Sequence, residues 1–199
     1  MKLFVVAAAA LSVALAAIPD PPKSKIAGST TAPMRLELYE DFTCPHCRLV
    51  HEQFLPQIMR DYVTPGKAYI VFRDYVLTGP GHQFSHDAAA WAAAAARIGK
   101  YPAAADALFK SQGAWVQTGA IWPNLVPSFS AEEQKKLQSL FKDPSVAADV
   151  KNDIDAGNNV PVTQTPTLVV VYKGKKQPWA MWNSYALLKS YLDTLLTGK

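Results

Sequence analysis

The pattern of apolar and polar residues in the first third of the chain predicts a strand, a helix and a second strand. Residues 35–40 alternate polar and apolar side chains, which is typical of a half-buried strand. From Pro45 to about Tyr62 the apolar residues recur at helical spacing, and a proline in the first turn of a helix costs no hydrogen bond. Residues 67–77 contain a run of β-branched and aromatic residues that predicts the second strand.

A long helical stretch follows. Between Phe84 and Gly157 the apolar residues keep helical spacing almost throughout. Ser130 and Glu133 have the spacing of a capping box, which marks the start of one helix. We predict four helices here: Ser85–Ile98, Pro102–Gln112, Ala131–Phe141 and Ser145–Ala156. This stretch, about residues 84–157, separates the first two strands from the rest of the chain.

The end of the chain predicts a hairpin and a closing helix. Thr167–Tyr172 is strongly β-prone, and a turn at residues 173–176 leads into a fourth strand, Gln177–Trp182. Ser184–Leu196 has an amphipathic helical pattern. The order of elements predicts an α/β fold, a small sheet covered by helices, with the helical stretch as one insertion.

The N-terminus has the pattern of an export signal. Lys2 supplies a positive end, residues 3–15 are an apolar run, and a small-x-small pattern predicts cleavage near Ala16 or Ala17. Because the apolar run is short for a membrane span, we predict a signal peptide at residues 1–17. A retained membrane anchor is the alternative.

Behind this signal we predict a leader and one domain. Residues 18–33 are rich in proline, lysine and small residues, which is typical of a flexible leader. Residues 34–199 then form a domain of ordinary size. Export would carry this domain to the periplasm or another part of the cell envelope, where disulfides persist.

Composition and charge narrow the range of partners. The 199 residues are 49% hydrophobic and 18% charged, which is typical of a globular protein. The formal charge is +4, but lysines and arginines are scattered, and a solvated turn explains the one small group at Lys173, Lys175 and Lys176. We therefore expect no nucleic acid partner. The leader is too short and too proline-rich for a dimerisation segment, so we expect a monomer.

Cys44 and Cys47 are the only cysteines and form a Cys-Pro-His-Cys motif. A disulfide between residues so close together removes little entropy from the unfolded chain, so the pair suits electron exchange better than cross-linking. At the start of a helix, Cys44 would face unsatisfied N–H groups and the positive end of the helix dipole, which favour its thiolate. His46 can add a positive charge or a donor beside Cys44, while Cys47 lies most of a turn deeper.

The same segment offers a weak pattern for metal binding. Cys44, His46, Cys47 and His51 could be read as a ligand cluster, but neighbouring residues on a helix point apart. Copper(I) would need only the two thiolates. We predict no metal site and no cofactor, and a non-catalytic copper-binding or peptide-holding module stays open as an alternative function.

Residues 162–167, Val-Thr-Gln-Thr-Pro-Thr, precede the third predicted strand. Together with the Cys-Pro-His-Cys motif and the helical insertion, they make the chain from about Met34 onward resemble the DsbA group of thioredoxin-fold thiol–disulfide oxidoreductases. The resemblance implies a thioredoxin fold with an inserted helical domain. It also implies that Cys44 is an exposed nucleophile and Cys47 a buried resolving thiol.

The resemblance further implies that Pro166 is a cis-proline facing the cysteine pair. A cis bond there would expose the backbone of Thr165 to an extended substrate chain. The local sequence alone favours a trans-proline that merely starts the strand.

A buried carboxylate that relays a proton to the inner cysteine is common in this family. The position six residues before Cys44, where such an acid is often found, is Leu38 in this chain. Glu37 or Glu40 could substitute for it, and the alternative is that both are ordinary surface carboxylates.

These features predict an exported oxidant that introduces disulfides into reduced, unfolded exported proteins. By resemblance, its reoxidant would be a membrane quinone-linked partner of the DsbB or vitamin K epoxide reductase type. The first alternative is a thiol reductase or isomerase that a membrane donor keeps reduced.

Overall fold

The computed structural model describes residues 19–160 and 162–198. The predicted signal peptide at residues 1–17 lies outside the described residues. Within the described residues, no helix is both long enough and apolar enough to cross a membrane.

Five strands of the described chain form one mixed sheet. They are β1 (Ile26–Ala27), β2 (Met34–Glu40), β3 (Ala68–Asp74), β4 (Thr167–Tyr172) and β5 (Lys175–Trp179). Their order across the sheet is β1-β3-β2-β4-β5. β2 runs parallel to β3 and antiparallel to β4, so it lies at the centre of the sheet. The carboxyl ends of β2 and β3 therefore meet at one edge, directly before the cysteine motif and the helical insertion.

One continuous helical segment, residues 45–63, carries the cysteine motif, and we call it the cysteine helix. It consists of α1 (Pro45–Leu49), a π-helical part (Val50–Phe54), α2 (Leu55–Ile58) and a second π-helical part (Met59–Val63). The hydrogen-bonding pattern changes just before Pro56, which has no amide hydrogen to donate.

The remaining helices form the insertion and close the sheet. The insertion contains α3 (Ser85–Arg97), α4 (Tyr101–Lys110), α5 (Gln112–Trp115), α6 (Ile121–Leu125), α7 (Ala131–Phe141) and α8 (Pro144–Asn158). The closing helix α9 is Tyr185–Thr197. Ser130 and Glu133 form the predicted capping box at the start of α7. The predicted thioredoxin fold with an inserted helical domain is confirmed.

The described core has three clusters. On one face of β2, Leu36 and Leu38 pack with Ile58 of the cysteine helix and Leu188 of α9. On the opposite face, Tyr39 of β2 packs with α8. The alanine-rich face of α3 packs in a third cluster with the other inserted helices, and this cluster contains Cys44 and Cys47. The cysteines therefore lie where the inserted helices meet the thioredoxin-like part.

The predicted flexible leader is wrong for the described residues 19–33. Lys23–Lys25 form a 3-10 turn, and β1 pairs antiparallel with β3. The turn places Lys25 in the interior, where two carboxylates neutralise its ammonium group. Proline-rich and lysine-rich composition favoured a solvated segment, but these buried ionic partners fix it against the domain.

The strand β5 begins two residues before the predicted position and forms one edge of the sheet. Lys173 and Gly174 both have positive φ, 48° and 74°, which is the backbone of a tight two-residue hairpin turn. Lys175, Lys176 and Pro178 are exposed along this edge.

Candidate active site

Cys44 lies at the N-cap of α1, where the sequence places it, and Cys47 lies within the first turn. The backbone N–H of Cys44 donates to the Asp41 carbonyl at 3.0 Å, which forms the turn that leads from β2 into the helix. Both cysteines are free thiols. The local geometry therefore puts one sulfur at the open end of the helix and the other beneath it.

The environment of Cys44 favours its thiolate. The thiol of Cys47 donates a hydrogen bond to the Cys44 sulfur, and the backbone N–H groups of Cys47 and His46 also point to it, which together lower the pKa of Cys44 to about 5. Partial burial opposes this shift but does not cancel it. His46 lowers the pKa of Cys44 through its backbone N–H, whereas the sequence suggested a charge or a donor on its side chain.

The environment of Cys47 favours its thiol. Cys47 is 0% exposed, and its burial raises the pKa of its thiol well above the usual range. Its hydrogen bond to Cys44 and the nearby Glu40 carboxyl act in the same direction. The backbone N–H of Asp41 donates to its sulfur at 3.4 Å, which opposes the shift weakly. The pKa values of the two cysteines in one motif are therefore shifted in opposite directions, down for Cys44 and up for Cys47.

Cys44 is more buried than the resemblance implied. Only 7% of the residue is exposed, because the segment around Thr165 lies over its sulfur. In its thiol form, Cys44 donates to the Thr165 carbonyl at 3.6 Å. Pro45 and His46 are the exposed residues of the motif.

The Thr165–Pro166 peptide bond is cis, as the resemblance implies. Pro166 accepts a hydrogen bond at its carbonyl from the Trp182 indole, at 2.8 Å. A cavity of about 330 Å³ lies beside this segment. It is lined by His46, Leu49, Gln164, Thr165, Pro166, Ala180, Trp182 and Asn183. The exposed side of the cysteine motif and the proline segment thus share one groove.

The structure separates the two glutamates that could serve as the buried acid. The carboxylate of Glu37 accepts from Tyr39 at 2.8 Å and pairs with Arg35 at 2.6 Å, on the face of β2 opposite to Glu40. Glu40 is 4% exposed, and its Oε1 has no hydrogen-bond partner among the described residues.

Glu40 is the carboxyl that faces the cysteines. Burial, the Asp74 carboxyl and the Cys44 sulfur raise the pKa of Glu40 well above its usual range, which favours its protonated form. Leu38, at the position where the family often has its acid, lies two residues earlier in the strand. Because residues two apart share a face of a strand, Glu40 occupies the same face one step closer to the cysteine helix.

Two further residues support the motif and were missed from the sequence. The buried Asp41 carboxylate accepts from the Thr43 backbone and hydroxyl at 2.6 and 2.5 Å, from the Leu77 N–H at 2.6 Å and from the Ser85 hydroxyl. Its position directly after β2 was the available signal. It ties the turn before Cys44 to the first inserted helix.

Gln112 is the second of these residues. Its side-chain amide donates to the carbonyls of Phe42 and Cys44 at 2.7 and 3.0 Å, from the start of α5. No local sequence signal marks it, because Gln112 lies 68 residues beyond Cys44. The insertion therefore holds the backbone of the cysteine turn directly.

His51 contacts the inserted helix α4. His51 pairs with Asp106 of α4 at 2.7 Å and stacks against Phe109. Within the part of the chain that the structure describes, no group of three or more His, Cys, Asp or Glu side chains has the geometry to hold a metal ion.

Comparisons with known proteins agree with this geometry. A family model described as Thioredoxin matches residues 21–191. Disulfide bond formation protein D of Bacillus subtilis (strain 168) is 22% identical over 183 residues, which are 87% of this chain and 78% of that protein.

Solved structures show the same fold. A doubly substituted α-DsbA1 from Wolbachia pipientis is similar with a TM-score of 0.70 and 21% identity, over 91% of this chain and 94% of that one. Oxidised BdbD from Bacillus subtilis is similar with a TM-score of 0.63 and 19% identity, over 90% of this chain and 97% of that one. The family match covers the sheet, the cysteine motif and all inserted helices, so the chain belongs to the thioredoxin family, and its fold is that of the DsbA-type structures.

Proposed function

We propose that this protein acts as an exported oxidant, which transfers the Cys44–Cys47 disulfide to reduced, unfolded proteins of the cell envelope. The observation that carries the proposal is the opposite shift of the two sulfurs: the pKa of Cys44 is lowered to about 5 and that of Cys47 is raised. A stable Cys44 thiolate favours the reduced form, so the disulfide form is a donor of its bond.

The size of the Cys44 shift indicates the strength of the oxidant. The nucleophile of thioredoxin has a pKa of about 7 and a reduction potential of about −270 mV. At pH 7, a pKa near 5 favours the reduced form by about fiftyfold more, which corresponds to about 50 mV in a two-electron couple. We therefore expect a potential about 50 mV above that of thioredoxin.

The reaction takes place in two exchange steps. A substrate thiolate attacks Cys44, the Cys44–Cys47 bond breaks, and Cys47 leaves as a thiolate that takes a proton. A second substrate thiolate then attacks the substrate sulfur of the mixed disulfide, and Cys44 leaves as a thiolate. The substrate loses two electrons and gains a disulfide, and the enzyme ends with one thiol and one thiolate.

Glu40 supplies the proton that Cys47 needs in the first step. It lies beneath the cysteine helix, its raised pKa favours the protonated form, and its charge acts on both sulfurs. Glu37 takes no part, because it is paired with Arg35 on the other face of the strand.

The substrate chain lies along the proline segment. The backbone of Thr165, next to the cis bond, pairs with an extended substrate segment, and the groove beside Pro166 and Trp182 receives its side chains. His46 and Pro45 form the rim that the substrate thiol passes. A monomer is sufficient for this arrangement, since all of these residues belong to one chain.

Reoxidation requires an electron acceptor outside this chain. We propose a membrane quinone-linked partner of the DsbB or vitamin K epoxide reductase type, which takes two electrons from Cys44 and Cys47. The predicted signal peptide at residues 1–17 would bring the protein to the compartment of that partner.

The test is transfer of the disulfide to a reduced, unfolded dithiol protein, together with the reduction potential in a glutathione buffer. We expect stoichiometric transfer and a potential about 50 mV above the thioredoxin value of about −270 mV. A potential at the thioredoxin value would instead favour a reductase. Failure to transfer the bond, with tight binding of one Cu(I) per chain, would favour the copper-binding alternative.

A further inference from the structure

The ordered segment before β2 inserts a lysine into the interior close to the candidate active site. Lys25 is 2% exposed, and its ammonium group donates to Asp74 at 2.8 Å and to Asp153. It also lies over the Tyr101 ring, 4.8 Å from the centroid. A lysine is rarely buried so completely unless its charge is compensated.

Asp74 connects this lysine to the acid beneath the cysteines. Asp74 ends β3 as Glu40 ends β2, and the two residues are partners in the parallel register. Both are buried, and burial raises the pKa of each carboxyl. Two neighbouring buried carboxyls do not both ionise easily, so the ionisation of one favours the protonated form of the other.

The partners of the two carboxyls decide which one keeps the proton. Asp74 accepts from Lys25 at one oxygen and from the Tyr101 hydroxyl, at 2.7 Å, at the other. Glu40 has no such partner at Oε1 among the described residues. Asp74 is therefore the ionised member of the pair, and Glu40 is the protonated one.

The surrounding charges balance around this pair. Arg73 donates to Asp153 at 2.9 Å, so Lys25 and Arg73 face Asp74 and Asp153. The groups that face Glu40 itself lie on several elements. They are Asp74 on β3, Tyr101 on α4, and Cys44 and Cys47 at the start of the cysteine helix.

We propose that Lys25 is a positioning residue of the cysteine site: it holds the negative charge of the carboxyl pair on Asp74 and so sets the proton affinity of Glu40. Through Lys25, the N-terminal segment would thereby influence the protonation of the carboxyl beneath the cysteines. Only the last step, from Glu40 to Cys47, rests on the proposed function.

Removing the charge of Lys25 and removing the charge of Asp74 should shift the titration midpoint of the carboxyl pair in opposite directions. Loss of the Lys25 ammonium adds a net negative charge to the cluster, so the last proton of the carboxyl pair leaves at higher pH. Loss of the Asp74 charge removes a like charge beside Glu40, so the Glu40 proton leaves at lower pH. We expect each shift to be about one pH unit or more.

The experiment is a carboxyl titration of the oxidised protein, in which no thiol titrates. Carbon-13 NMR of the side-chain carboxyls follows the pair, and Glu40→Gln assigns the Glu40 signal. The variants are Lys25→Met, Asp74→Asn and the double variant, in which the charges balance again. Ser24→Ala is the matched control, because it removes the hydrogen bond from Ser24 to the Ala96 carbonyl, 2.8 Å long, without changing charge.

The expected result is a midpoint that rises in Lys25→Met, falls in Asp74→Asn, lies between them in the double variant and does not move in Ser24→Ala. If Lys25→Met fails to fold, the double variant must still titrate above Asp74→Asn. Shifts of the same sign in both single variants, or an unmoved midpoint in Asp74→Asn, would overturn the proposal. The titration uses the resting protein, so its failure leaves the oxidant proposal standing, and a failed disulfide transfer leaves the titration valid.

Discussion

The start of the cysteine helix and the strand ends beneath it shift the pKa values of ionisable groups in opposite directions. At the helix start, oriented donors lower the pKa of Cys44 to about 5 although the residue is mostly buried. Beneath it, burial raises the pKa of both Cys47 and Glu40. Burial alone therefore does not determine the charge of a group here. The hydrogen-bond donors also matter: for Cys44 they are the Cys47 thiol first and then the backbone N–H groups that are free in the first turn of a helix.

We expect the largest effects from removing one sulfur at a time, because the two sulfurs have different roles in disulfide exchange. Cys44→Ser should reduce disulfide transfer by about a thousandfold or more, because the substrate thiolate then finds no disulfide sulfur to attack at the helix start. Cys47→Ser should instead accumulate a mixed disulfide with a disulfide-bonded client: the Cys44 thiolate attacks the client disulfide, one client thiolate leaves, and no Cys47 thiol is present to resolve the bond. Non-reducing electrophoresis with a disulfide-bonded client separates the two variants. Equal behaviour of the two variants would contradict the division of roles.

The pH dependence of stability measures the Cys44 side of the comparison. The pKa of about 5 in the folded reduced protein lies below the unfolded value of about 8.5, so the stabilisation is present at high pH and is lost as pH falls through 5. Between pH 7 and pH 4 the reduced form should lose about 2 to 3 kcal/mol relative to the oxidised form. Denaturant unfolding of both forms at the two pH values checks this. A difference that does not change with pH would mean an ordinary thiol.

Glu40→Gln tests the side beneath the helix. The variant keeps the shape of the side chain but cannot release a proton, so we expect disulfide transfer to slow by about tenfold to a hundredfold near pH 7. Glu37→Gln is the matched control, because it changes the same residue type in the same strand on the opposite face. Stopped-flow kinetics with both variants measure the effect. Equal slowing in the two would show that Glu40 has no special role.

We expect the smallest effect from Gln112→Ala, which separates the support of the cysteine turn from the pKa of Cys44. It removes two donors from the carbonyls of Phe42 and Cys44, and we expect a loss of about 1 to 2 kcal/mol in the free energy of unfolding. The pKa of Cys44 should change little, because Gln112 contacts the backbone and not the sulfur. Urea unfolding and thiolate absorbance measure the two quantities independently.

The parts of the fold that depend on local pattern could be predicted from the sequence. The alternating residues before the cysteines form β2, the run Thr167–Tyr172 forms β4, and Ser130 caps a helix as its spacing indicates. The position of Cys44 at a helix start also followed from local pattern. These features depend on neighbours within a few residues, which a sequence displays directly.

The parts that depend on distant partners could not be predicted in this way. Lys25 lies 49 residues from Asp74 and 128 from Asp153, and nothing near it in the sequence announces a buried ion pair. The choice between Glu37 and Glu40 was accessible in part, because strand alternation places Leu38 and Glu40 on one face. Which face turns toward the cysteines depends on the packing of the insertion against the sheet.

The edge strand β5 has a consequence for a protein whose proposed clients arrive unfolded. An unpaired sheet edge is a template on which another chain can add a strand and start aggregation. Here the exposed edge carries Lys175 and Lys176, whose charges oppose a docking strand, and Pro178, which has no amide hydrogen to offer it. An extended polypeptide is thus discouraged from the β5 edge, which does not compete with the proposed substrate path along the proline segment beside the cysteines.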